Sequence, residues 1–86
     1  MNINDLIAIV KKKLKDNIQI ERINIEDKTF LHKNHSSHKE GNFHLKLLIS
    51  SVELKKLNRI EANKKIYKSL KQELKDYIHS LQILIS

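Results

Sequence analysis

Phe43-His44-Leu45-Lys46-Leu47-Leu48-Ile49 is the stretch from which the fold is read. Phe43, Leu45, Leu47 and Ile49 alternate with His44, Lys46 and Leu48, the period of a strand with one face against a core. Ser50 and Ser51 close it, and Val52, Leu54 and Leu57 make a short connection. Asn58 then starts the longest helix. In it Ile60, Asn63, Tyr67, Leu70 and Leu74 form one stripe, and Lys64, Lys68, Lys71 and Lys75 form a second at i, i+4, i+7, i+11. Glu61 and Lys65 are spaced to pair along this helix. Asp76 and Tyr77 leave it, and His79–Ile85 reads as a strand with Leu81, Ile83 and Ile85 on one face. A strand–helix–strand crossover joins parallel neighbours when the two strands are adjacent.

Upstream of the quoted stretch, Leu6, Ile9, Val10 and Leu14 recur at helical spacing, which predicts a helix from Asp5 to Asp16 capped by Asn4. Ile23 and Ile25 alternate with Arg22, Asn24 and Glu26 as a half-buried strand; Ile18 and Ile20, of opposite parity, belong to the connection or to a bulge. From Asp27 to Asn42 the chain holds Lys, His, Asn, Ser and its only glycine, Gly41, with no sustained period. Such a long loop is usually functional or disordered. The order helix, strand, strand, helix, strand implies an α/β (α+β) fold, with a mixed three-stranded sheet covered by helices on one face. Residues 1–86 form a single domain in this reading.

Composition narrows the function classes. The chain of 86 residues has no cysteine, so it forms no disulfide and donates no thiolate to a metal. No apolar run approaches the roughly 18 residues of a membrane span, and no export signal is expected, so a cytoplasmic protein is the plain reading. The net charge of +7 suits nucleic acid, but only Arg22 and Arg59 among the seventeen basic residues offer a planar fork. Lysine, isoleucine and asparagine share A/T-rich codons, and genome composition with ordinary solvation is read ahead of a dedicated nucleic-acid surface as the source of that charge. No nucleophile elbow, carboxylate pair or phosphate loop is present, and no enzymatic activity is expected.

The five histidines carry the chemistry to be explained. Neutral imidazole is a good ligand for iron, copper and zinc. His32, His35 and His38 stand three apart in the long loop, His44 lies in the quoted strand and His79 opens the last one. His38 reads as a solvated loop residue and His44 as structural. A zinc site built from the loop alone, with no thiolate, would be weak. Tyr67 reads as a core residue with a polar tip.

Four pieces of the chain are familiar together. They are Glu26-Asp27-Lys28-Thr29-Phe30-Leu31-His32, Gly41-Asn42-Phe43-His44-Leu45-Lys46, Ile66-Tyr67 with Leu70, and Glu73-Leu74-Lys75-Asp76-Tyr77-Ile78-His79-Ser80-Leu81. In these the chain resembles the BolA family over nearly its whole length. The resemblance implies a fold like a class II KH domain. It also implies a monothiol glutaredoxin as partner, with a two-iron, two-sulfur (2Fe-2S) cluster shared between them. The glutaredoxin cysteine and a glutathione thiol would hold one side of that cluster. His79 and a loop histidine, His32, would hold the other, with His35 as a substitute and His44 ranked behind both. Two imidazoles on one iron resemble a Rieske centre. Alone, the chain would hold no cofactor and be a monomer.

The alternative implied by the family is a nucleic-acid-binding transcriptional regulator of stress response and cell morphology. Any DNA binding here would be weak and carried by Lys64, Lys68, Lys71 and Lys75. The chain departs from the family where Arg-His-Arg often stands, with Ala62-Asn63-Lys64, and at Phe-x-Gly, with Leu54-Lys55-Lys56. Phe43 replaces the small hydroxyl residue usual before the strand histidine, and no Gly-x-x-Gly is present to clamp a nucleic-acid backbone.

Overall fold

Asn2, not Asn4, caps the first helix. In the computed structural model, which describes residues 1–29 and 42–86, α1 spans Ile3–Asn17. Asn2 Oδ1 accepts the Asp5 amide at 2.8 Å, which places the Asp5 carboxylate in the first turn, where the helix dipole favours it. Leu6, Val10 and Leu14 are the face that α1 buries. Ile18 ends the helix in an extended conformation and is itself in the core, so the connection, not a strand, absorbs it.

β1 spans Arg22–Asp27 and β2 spans Phe43–Ser50. They pair antiparallel from Arg22↔Ser50 to Asp27↔Leu45, so Asp27 belongs to the strand and not to the loop expected there. β3, Ile78–Ile85, pairs parallel with the other edge of β2, giving a mixed sheet in the order β1-β2-β3. Ile25, Leu45, Leu47 and Ile49 face one core with Leu6, Val10 and Leu14 of α1.

The crossover from β2 to β3 is more broken than the sequence suggests. Val52–Lys55 forms a short helix, α2, whose cap is Ser51. Asn58 caps α3, Arg59–Ser69, by accepting the Glu61 amide at 2.8 Å. Ser69 Oγ donates to the Lys65 carbonyl at 2.9 Å, a competing bond of the kind that bends helices. At Leu70 the backbone leaves helical geometry, and α4 resumes over Lys71–Asp76.

The buried face of this segment is Ala62, Ile66 and Leu70, with Glu73 beyond. The expected stripe of Ile60, Asn63, Tyr67, Leu70 and Leu74 is centred about 80° further round an ideal helix. Ile60 is 68 % exposed and Tyr67 42 % exposed, so Tyr67 is not a core residue. The packing against Leu54 and the sheet, not the apolar count along the helix, selects the face. Lys65 pairs with Glu53 of α2 and not with Glu61, whose carboxylate lies 3.9 Å from Lys64. Glu73 is buried and pairs with Lys13 of α1; among the described residues its Oε1 has no hydrogen-bond partner.

Candidate functional site

The site begins with an irregularity between β2 and β3. Phe43 is opposite Ile78 and His44 is opposite Ser80, so His79 is an extra residue in β3. Such a bulge breaks the alternation of side chains and re-aims one of them. Ile78 stays in the core and Leu81 packs against it, which leaves His79 and Ser80 consecutively on the face away from the helices. Both meet the same side chain there. His44 Nδ1 is hydrogen-bonded to Ser80 Oγ at 2.6 Å, and the His44 and His79 rings meet edge to face, 5.1 Å apart at 64°.

His44 is the fixed member of this group. Its amide donates to Thr29 Oγ1 at 3.1 Å and its carbonyl accepts the Lys28 amide at 2.7 Å. Thr29 is held in turn, because its hydroxyl and its amide both donate to Asp27 Oδ1. Although His44 lies on the outer face of the sheet, it is only 7 % exposed, whereas His79 is exposed. The arrangement is therefore one buried imidazole backing one accessible imidazole.

His79 and His44 are the two sequence candidates that the described residues bring together. His32, His35 and His38 lie outside the described residues. Among the described residues no group of three or more His, Cys, Asp or Glu is poised to hold a metal. The parity of β3 was a usable signal for the bulge: Ile78 is out of phase with Leu81, Ile83 and Ile85, so one residue between them must be extra. The contact between the two histidines had no such signal, since it depends on the β2–β3 register.

The BolA-like protein family matches residues 14–86, which include both strands of the site and the whole crossover. The chain belongs to the BolA family. A curated relative, the DNA-binding transcriptional regulator BolA of Haemophilus influenzae, is 28 % identical over 75 residues, covering 87 % of this chain and 70 % of that protein. Two solved structures from Arabidopsis thaliana share the fold. BolA1 superposes with a TM-score of 0.76 at 23 % identity, over 92 % of this chain and 87 % of that one. The BolA domain of SufE1 gives 0.77 at 22 % identity, over 100 % of this chain and 93 % of that one.

The second sequence candidate of this BolA-family chain, the lysine stripe, takes a different form in three dimensions. Lys64, Lys68, Lys71 and Lys75 are all exposed, but the break at Leu70 divides them between α3 and α4. In the segment where the family often carries Arg-His-Arg, Ala62 is buried and Lys64 is the exposed cation. Among the described residues no helix is long and apolar enough to cross a membrane.

Proposed function

We propose that this BolA-family chain is a binding and regulatory protein, not an enzyme, that shares a 2Fe-2S cluster with a monothiol glutaredoxin. His79 and His32 would be its two donors, with a glutaredoxin cysteine and glutathione on the other side. The observation that supports this most is the accessible imidazole of His79 on a bulged strand, backed by a buried second imidazole. The donor chemistry fits: with no thiolate in the chain, imidazole is the donor it has that is known to replace cysteine on the iron of a 2Fe-2S cluster. A donor anchored in a strand and open to solvent can be reached by a second protein, and its rigid neighbours reduce the ordering that binding requires. When bound, such a cluster supplies one-electron chemistry, and imidazole in place of thiolate raises its potential. The chain itself presents His79 and limits its motion through β3.

Co-purification with a monothiol glutaredoxin and glutathione tests this. The expected outcome is a complex with visible cluster absorbance and matching amounts of iron and sulfide. A complex that forms colourless, or none at all, counts against the proposal.

A second reading is DNA binding in transcriptional regulation, favoured by the name of the Haemophilus influenzae relative and by the net charge of +7. Lysines are point charges that contact phosphate without reading bases. Affinity is therefore expected to be weak and to fall steeply with salt. Replacing Lys64, Lys68, Lys71 and Lys75 by Gln should flatten the slope of log affinity against log salt by about 3 to 4. Anisotropy titrations over a salt series read this directly. Sequence-selective binding that persists at physiological salt would put this reading first.

A further inference from the structure

We propose that His44 is a positioning residue for His79: its buried imidazole sets the orientation of the exposed one. The proposal rests on the reading of His79 as an iron donor and adds a residue to it. An exposed histidine side chain ordinarily samples several rotamers, and holding one of them carries an entropic cost. His79 has a wall to lie against. The His44 ring meets it edge to face with centroids 5.1 Å apart, the spacing and tilt favoured by paired aromatic rings.

The wall is itself held by hydrogen bonds. Thr29 and Lys28 hold the His44 backbone on either side, and Ser80 Oγ holds Nδ1 at 2.6 Å. The bulge makes this possible, because it places His79 and Ser80, adjacent in sequence, on one face of the sheet opposite one residue of β2. Ser80 therefore fixes the ring that fixes its own neighbour. A regular β3 would send His79 and Ser80 to opposite faces and separate the lock from the donor. Groups that orient a metal ligand commonly matter about 10- to 100-fold in metal affinity.

The test has two arms. In the first, three-bond couplings report the χ1 distribution of His79 in the metal-free full chain. One dominant rotamer is expected in the wild type; His44→Phe keeps a ring at that place but loses the Ser80 bond, so it should weaken that preference without abolishing it. Averaging is expected in His44→Ala, with Ser80→Ala between it and the wild type. If His44→Ala does not fold, Ser80→Ala and His44→Phe carry the comparison. A wild-type His79 that is already averaged, or a distribution unaffected by these changes, overturns the proposal.

In the second arm, the complex with a monothiol glutaredoxin is reduced and its imidazole nitrogens are counted by hyperfine spectroscopy. His44→Phe should leave that count unchanged, and Ser80→Ala should shorten the cluster half-life by about tenfold. A count lower by one in His44→Phe would make His44 an iron ligand and overturn its positioning role. If the wild-type complex holds no cluster, the proposed function fails and the rotamer comparison alone decides this inference.

Discussion

Ser51 accepts the Leu54 amide at 3.1 Å and donates to the Gln19 carbonyl at 2.7 Å, so one hydroxyl both caps α2 and ties it to the segment leaving α1. It is 1 % exposed, and water cannot readily replace either bond. Ser51→Ala is therefore expected to destabilise the fold by about 2 kcal/mol, as a lower denaturant midpoint at unchanged slope. A change under about 0.5 kcal/mol, typical of a surface substitution, would contradict this. At the same scale, His79 was legible as a metal candidate through the family resemblance, which matches it to the histidine before the last strand. The role of Ser80 was not, since its partner His44 is brought near only by the pairing of two strands. The histidines of the loop remain candidates by resemblance alone.

The elements were legible where one face is strongly apolar and ambiguous where it is not. β2 buries Leu45, Leu47 and Ile49 of its expected set with Phe43 half-buried, and α1 buries Leu6, Val10 and Leu14 but leaves Ile9 only half-buried. α3 has few apolar residues, and Ile60, Ala62, Ile66, Tyr67 and Leu70 satisfy two overlapping stripes. Tertiary packing decided between them. The choice is measurable: Ile66→Ala should cost about 2–5 kcal/mol, whereas Ile60→Lys should stay within about 0.5 kcal/mol. Comparable losses at both positions would show that the face is wrongly placed.

The α2–α3 junction also responds to pH. The Lys65 ammonium, and after it the Gln19 amide, hold the Glu53 carboxyl below its ordinary value of 4.5. A depressed carboxyl stabilises the fold above its unfolded value, and that contribution is lost as pH falls below 4.5 toward the folded value. Glu53→Gln should therefore flatten the acid limb of the stability curve. An unchanged limb would remove this pair from the acid response.

Over the whole molecule, Lys13 and Glu73 link the first helix to the last, across the crossover that carries the chain to β3. The Glu73 carboxylate is buried while the Lys13 side chain is 40 % exposed, so the two partners are not equivalent. Lys13→Ala leaves a buried charge without its cation and is expected to cost about 1–3 kcal/mol, less than a fully buried pair. Lys13→Met together with Glu73→Leu should restore most of that loss in thermal unfolding. A double variant as unstable as Lys13→Ala alone would show that the pair is needed for more than charge balance.

The same crossover delivers His79 to the side of His44, so the fold and the site share one piece of topology. Absorbance of the complex with a monothiol glutaredoxin, recorded for His79→Ala beside wild type, tests the iron-donor role of His79 most directly. The expected result is a changed visible spectrum and a cluster half-life shorter by about tenfold or more, with the apo fold intact. An identical spectrum and an identical half-life would exclude His79 as a donor and remove the main support for a shared cluster.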